Sequence, residues 1–193
     1  MHLTNRHART ASWIAVPLAV LASGGIIAGS SYAAFSSATE TAPSSWSAGH
    51  VQLSNDHEAT AVFSETDLAP GATGTGCVTV TADTTVDSTV HMYTKNANQT
   101  GDLAQYIGLT IERGTLTDPA DCSSLTGSTP VYQGTLADLA SKDSFGTGLG
   151  TWAPAAGGES STYRISYTVS DATPNTAQDA TADTTFVWEA QSD

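Results

Sequence analysis

Short stretches in which apolar and polar side chains alternate recur along the chain after residue 45. The clearest stretch is 163–169, in which Tyr163, Ile165, Tyr167 and Val169 share one face. A period of two is that of a half-buried β-strand. The same pattern predicts about eight strands, over 46–53, 59–63, 76–82, 89–94, 107–113, 131–132, 163–169 and 185–190.

Helical signals are few in this part of the chain. One helical turn is predicted over 101–106 and one short helix over 136–140, with Thr135 as its N-terminal cap. The glycine-rich stretch 145–158 is interpreted as a long loop anchored by Trp152. Crossover helices of a dozen residues, which a parallel sheet needs, are missing from the pattern. The pattern therefore predicts an all-β fold, an antiparallel β-sandwich with one or two short helices.

The first 34 residues have the three-part layout of an export signal. Arg6 and Arg9 precede an apolar run over 11–27, and small residues follow it up to Ala33 and Ala34. We expect residues 1–34 to form a signal peptide helix that signal peptidase removes after Ala33 or Ala34. The alternative is a retained membrane anchor, although the run is short for a spanning helix and contains Pro17.

The segment 35–45 is rich in serine, threonine and alanine and has no helical periodicity. It is predicted to be an extended N-terminal arm that begins with Phe35, Ser36 and Ser37 and precedes a sandwich domain over 46–193. An extended segment can pair with an exposed sheet edge through main-chain hydrogen bonds. We therefore expect the arm to connect molecules by strand addition.

The balance of charge narrows the possible partners. All 19 acidic residues follow Phe35, where the basic residues are only Lys95, Arg113, Lys142 and Arg164, so the expected mature net charge is −15. Such a surface repels phosphate backbones and anionic lipid. Nucleic acid is therefore excluded as a partner, and no stable membrane insertion is expected after cleavage.

Cys77 and Cys122 are the two cysteines of the chain, and both follow the predicted cleavage site. An exported protein meets an oxidising environment, which favours a disulfide between them. The bond would link the strand 76–82 to the loop after the strand 107–113. A zinc site would need histidine partners at short spacing, and none is near either cysteine.

Several motifs in this order and spacing resemble the TasA/camelysin family of proteins exported by Gram-positive bacteria, and 131–136 with Cys122 is similar to its actinobacterial branch of alternative-signal exported proteins. The motifs lie at 32–35, 46–53, 68–71 and 186–191. The resemblance implies a jelly-roll β-sandwich and a matrix protein that assembles into extracellular fibres of biofilms. Camelysins have also been described as surface metalloproteases, but no family catalytic residue can be carried over.

Sequence motifs for catalysis or metal binding are weak. The histidines after the predicted cleavage site, His50, His57 and His91, do not form a His-Glu-x-x-His helix, and no nucleophile elbow is present. A calcium site built from loop residues such as Asp171 and Asp179 is the less favoured alternative. We expect no catalytic residue, no metal and no cofactor. Aromatic residues could line a carbohydrate face, but a place in the core is favoured, for Trp46, Trp152, Trp188, Tyr163 and Tyr167.

These patterns together predict a secreted, non-enzymatic protein of the extracellular or biofilm matrix. Its expected partners are further copies of itself or other matrix proteins. Two alternatives stay open at this point, a camelysin-like surface metalloprotease and a non-polymerising module that binds glycans or proteins.

Overall fold

Residues 48–193 are described by the computed structural model, and their strands form two antiparallel sheets. The all-β fold predicted from the alternating pattern is confirmed. The strands are β1 (Val51–Asn55), β2 (Thr73–Thr84), β3 (Ser88–Gln99), β4 (Ile107–Leu116), β5 (Leu125–Thr135), β6 (Leu149–Trp152), β7 (Glu159–Val169) and β8 (Ala182–Ser192).

Helical structure in this range is limited to single turns. The short helix α1 (Leu136–Leu139) begins where the sequence predicts it, and the side chain of Thr135 accepts a hydrogen bond from the Asp138 N–H at 3.0 Å. The predicted turn over 101–106 is a 3₁₀ helix. Such 3₁₀ turns occur at Leu103–Gln105, Cys122–Ser124, Phe145–Thr147 and Asn175–Ala177.

The strand order gives the sandwich its jelly-roll topology. The larger sheet has the order β1-β2-β7-β4-β5, and the smaller has the order β6-β3-β8. Strands 2-7-4-5 in one sheet facing 6-3-8 in the other is the arrangement of a jelly roll. In a complete jelly roll the first strand pairs with the last, whereas here β1 pairs with β2.

The core lies between the two sheets and is built from the faces that the alternation predicts. Val78 and Val80 of β2 and Ile165 of β7 are completely buried or nearly so, and the other inward residues of β4 and β7 are buried with them. In the β2–β7 pair Gly74 lies opposite Tyr167, and the tyrosine ring covers the position that a Cβ atom would take. Only glycine fits under this ring.

Two predicted elements are wrong. The segment 59–63 contains no strand, and the predicted loop 145–158 contains β6. β6 pairs with β3, which places Leu149 opposite Met92 and Trp152 opposite Val90. Trp152 is therefore a buried strand residue that packs in the core, and its tertiary pairing outweighs the glycine-rich composition around it.

The predicted signal peptide 1–34, the arm 35–45 and Trp46 lie outside the described residues. The predicted site residues Ala33, Ala34, Phe35, Ser36 and Ser37 are among them. Across residues 48–193, none of the helices has the length and apolar character needed to span a bilayer.

Candidate functional site

The main cleft of the described domain lies between the two sheets, on the side where β8 forms an edge. Its volume is about 750 Å³. Inward side chains of β2, β4 and β7 form its floor, and β8 forms one wall. The apolar lining includes Val78, Ile107, Leu109, Tyr167, Phe186 and Trp188.

The opposite side of the sandwich is closed. There the edge strands β5 and β6 approach each other, and Arg113 donates hydrogen bonds from Nη1 to the carbonyl oxygens of Gly150 at 3.3 Å and Thr151 at 2.8 Å. The side chain of Val131 lies against Gly150. As far as residues 48–193 are concerned, the two sides of the sandwich therefore differ, and the β8 side is the one that leaves the interior accessible.

The inward residues of β8 are less buried than those of β3 beside them. Val90 and Met92 of β3 are 0% exposed, whereas their neighbours Ala190 and Trp188 on β8 are only half-buried. Phe186 is also half-buried. These apolar side chains face the cleft and are only partly covered. A further strand beside β8 would complete their cover.

The main chain of β8 is paired on one side only. β3 bonds to β8 along most of its length, and no strand of residues 48–193 pairs with the other edge. An unpaired edge presents a row of N–H and C=O groups to an incoming strand. The interior of the cleft also holds the buried Oγ1 of Thr184, which has no hydrogen-bond partner in the same part of the chain.

The long connection between β1 and β2 crosses the opening of the cleft. We call this segment, residues 56–72, the strap. Its apolar residues Val62, Phe63 and Leu68 are half-buried and pack against the core. The Phe63 ring meets the Tyr167 ring edge-on, with 5.2 Å between centroids. The alternation in 59–63 that predicted a strand therefore reflects side-chain packing without ladder hydrogen bonds.

The predicted disulfide is confirmed. Cys77 and Cys122 are bonded, with their Cα atoms 5.6 Å apart. Cys77 lies on the outer face of β2, and Cys122 belongs to the connection between β4 and β5. The bond fixes that connection to the outside of the larger sheet, so it stabilises the domain and takes no part in the cleft.

The turn that carries Cys122 is ordered by a carboxylate. Asp121 accepts hydrogen bonds from the backbone N–H of Ser123 at 2.8 Å and from its hydroxyl at 2.7 Å. These bonds, the hydroxyl first, hold the pKa of Asp121 below its ordinary value. Asp121 is thus a capping residue, which its position before Cys122 and Ser123 would have allowed us to predict.

The histidines do not converge on one place. His50 pairs with Asp83, His57 with Asp56, and His91 lies between the Phe145 carbonyl oxygen and the Thr151 hydroxyl. Within 48–193, no three or more His, Cys, Asp or Glu side chains are grouped so as to hold a metal ion. Asp171 and Asp179, the loop residues considered for calcium, form no such group there.

The aromatic residues considered for a carbohydrate face lie mainly inside. Tyr163, Tyr167 and Trp152 are buried, and Trp188 packs on Tyr163 with 5.2 Å between ring centroids. Burial raises the pKa of Tyr163. In the described range these rings therefore serve the core and the cleft wall, and they form no exposed aromatic face.

The sequence did not predict the open β8 edge or the strap. In this segment the sequence predicted a strand over 59–63, followed by a turn at Pro70-Gly71. No protein-family model matches this sequence, and a search of the curated proteins finds no match.

Proposed function

We propose that this protein is a secreted structural component of the extracellular or biofilm matrix, and that it polymerises by strand addition. In this proposal the arm 35–45 of one molecule pairs with the free edge of β8 in the next. The observation that carries the proposal is the β8 edge above an apolar cleft, with which no strand of the described part of the chain pairs.

The dimensions of the two partners agree. β8 has 11 residues, and the predicted arm 35–45 matches it in length. The arm contains one proline, Pro43, so it retains nearly all the main-chain donors that a ladder needs. Its terminal Phe35 supplies an apolar side chain for a cleft that is lined by Phe186 and Trp188. Main-chain bonds would give affinity, and the cleft would select the side chains.

The contact generates a filament because it is head-to-tail. The arm lies at one end of the chain and the acceptor edge belongs to the folded domain, so each molecule offers one donor and one acceptor. A heterologous contact whose rotation does not close produces an open helical polymer. Export would control its onset, because cleavage after Ala33 or Ala34 frees the arm.

The secreted location is supported by the Cys77–Cys122 disulfide, since such bonds persist in oxidising compartments. A high acidic charge is compatible with solubility there. Glycan binding receives no specific support from the buried aromatics. Hydrolysis of casein by the purified protein, abolished by a chelator, would favour the metalloprotease over the matrix protein.

Deletion of the arm tests the proposal. The mature protein and a form that starts at Ser45 are compared by light scattering and electron microscopy over a range of concentrations. We expect filaments from the mature protein only. If both forms stay monomeric, or both polymerise equally, the arm is not the connector.

A proline pair in the arm tests whether main-chain bonds make the connection. Thr39→Pro with Glu40→Pro removes two adjacent N–H groups, and one of any adjacent pair faces the partner strand whatever the register. We expect this variant to lose polymerisation. The control is Thr39→Ala with Glu40→Ala, which keeps both N–H groups and should polymerise like the parent. Equal polymerisation of the proline and alanine variants would contradict strand addition.

A further inference from the structure

We propose that the strap is a removable cover of the acceptor cleft, and that its release precedes entry of the incoming arm. This inference rests on the proposed function. In this inference the middle of the strap, residues 61–68, lies across the cleft that the side chains of the arm enter when the arm pairs with β8.

The two ends of the strap are fixed by hydrogen bonds. At the first end, the Asp56 N–H donates to the Thr79 carbonyl oxygen at 3.2 Å, and the Thr79 N–H donates to Asp56 Oδ1 at 2.9 Å. At the second end, the Gly71 N–H donates to the Val169 carbonyl oxygen at 2.8 Å. The ends therefore stay with the sheet when the middle moves.

The middle of the strap is held differently. Within the described chain, no hydrogen bond to or from residues 61–68 is formed, so their attachment consists of side-chain packing. Val62, Phe63 and Leu68 supply this packing. A segment with few buried contacts and a solvent-exposed main chain belongs to the least stable parts of a fold.

The strap covers a sheet edge without pairing with it. β1 ends at Asn55, opposite Val80, so the first half of β2 lacks a strand partner on that side. Val62 lies over Gly76 in this half, where a Cβ atom at Gly76 would be 2.7 Å from Val62 Cγ1. The strap forms no ladder bonds with β8 either, whereas an arm that pairs with the β8 edge gains main-chain hydrogen bonds along that edge.

The length of the strap supports a function beyond connection. Adjacent antiparallel strands need only a short hairpin loop, whereas residues 56–72 separate β1 from β2. Connections of this length without secondary structure are uncommon in compact domains and are usually functional.

Thiol labelling reports release directly. In a Val62→Cys variant of the form that starts at Ser45, which has no arm of its own, we measure the labelling rate of the new thiol with and without a synthetic peptide of residues 35–47. Entry of the peptide should raise the rate by about tenfold or more, because the strap leaves its seat. The control thiol, Val86→Cys, lies at an exposed position outside the strap and should label at one rate throughout.

The results separate the two proposals. If the peptide binds and the thiol at position 62 is labelled at the same rate or more slowly, the strap inference is contradicted and the proposed function stays intact. Absence of peptide binding contradicts the proposed function and the inference with it.

Release of the strap is also tested by one variant that prevents it and one that makes it easier. A disulfide between Val62→Cys and Gly76→Cys should prevent peptide binding, while Phe63→Ala should accelerate it by about fivefold. Val86→Ala is the matched control for loss of an apolar side chain. Unchanged peptide binding to the disulfide-locked form would overturn the inference. Slower peptide binding to Phe63→Ala would overturn it too, since Phe63 would then belong to the surface that binds the peptide.

Discussion

Ile165 and Arg164 are consecutive residues of β7 that face opposite sides of the larger sheet. Ile165 is 0% exposed and lies in the core. Arg164 lies on the outer face and donates from Nη2 to Glu112 Oε2 at 2.5 Å and from Nε to the same oxygen at 3.2 Å. Two neighbouring residues of one strand thus lie in opposite environments, one in the apolar core and the other in a partly exposed ion pair.

Ile165→Asp should prevent folding, because it buries an unpaired carboxylate among apolar side chains. Arg164→Ala should cost about 1 kcal/mol or less, since the pair is partly exposed to solvent. Circular dichroism with thermal melting measures both. Equal melting temperatures for the two variants would show that the facing of β7 is wrong.

The Glu112–Arg164 pair should make stability depend on acid. Hydrogen bonding from Arg164, then from Ser128, holds the pKa of Glu112 below its ordinary value. Because the pKa is lower in the folded state, the pair stabilises the fold above the unfolded pKa of about 4.3 and loses this effect as the pH falls through the folded pKa.

Glu112→Gln should therefore destabilise the protein near neutral pH and much less at about pH 3. Urea unfolding of the variant and the parent at both pH values gives the difference. A gap between the two proteins that stays constant, or grows on acidification, would contradict the assigned pKa direction.

Most residues of the core could be predicted, because alternation alone decides which side of a strand is buried. Tyr163, Ile165, Tyr167 and Val169 all lie where their period of two places them. Trp188 is different: the sequence favours a core position for it, but it is only half-buried on the open side of the sandwich, so Trp188→Asp should cost less than Ile165→Asp. Local periodicity does not tell whether a face is fully covered.

At the scale of elements, the two wrong predictions concern segments whose structure depends on pairing with a distant strand. The stretch 59–63 has apolar residues that pack inward, yet it finds no strand partner and becomes part of the strap. β6 is short, follows Gly148 and contains Gly150, yet it forms a strand because it pairs with β3. Composition alone cannot distinguish the two cases, because hydrogen bonding to a distant strand fixes the result.

The disulfide links two elements of the fold, and its removal should lower the stability of the domain substantially. Cys77 and Cys122 are 45 residues apart, so loss of the bond should cost about 4 kcal/mol in the chain-entropy model. The variant Cys77→Ala with Cys122→Ala should melt on the order of 10 °C lower. The measurement is thermal unfolding of both proteins under oxidising conditions. An unchanged melting temperature would contradict a structural role for the bond.

For the folded domain as a whole, the sequence predicts the class of fold but not its open side. About eight predicted strands and few helical residues indicate an antiparallel sandwich. The open side results from where β1 pairs: its five residues form their ladder with β2, and within residues 48–193 β3 is the one strand hydrogen-bonded to β8. Strand order is a long-range property, and no local pattern in 51–55 or 182–192 encodes it.

The central claim is that the arm of one molecule occupies the β8 edge of another. The most direct measurement places a photo-crosslinking amino acid at Thr39 of the mature protein and mixes isotopically labelled and unlabelled molecules before irradiation. Mass spectrometry then identifies the linked peptides. We predict mixed-isotope crosslinks from position 39 to residues 182–192 or to the cleft lining. Crosslinks confined to single molecules, or directed to the outer face of the larger sheet, would contradict the account.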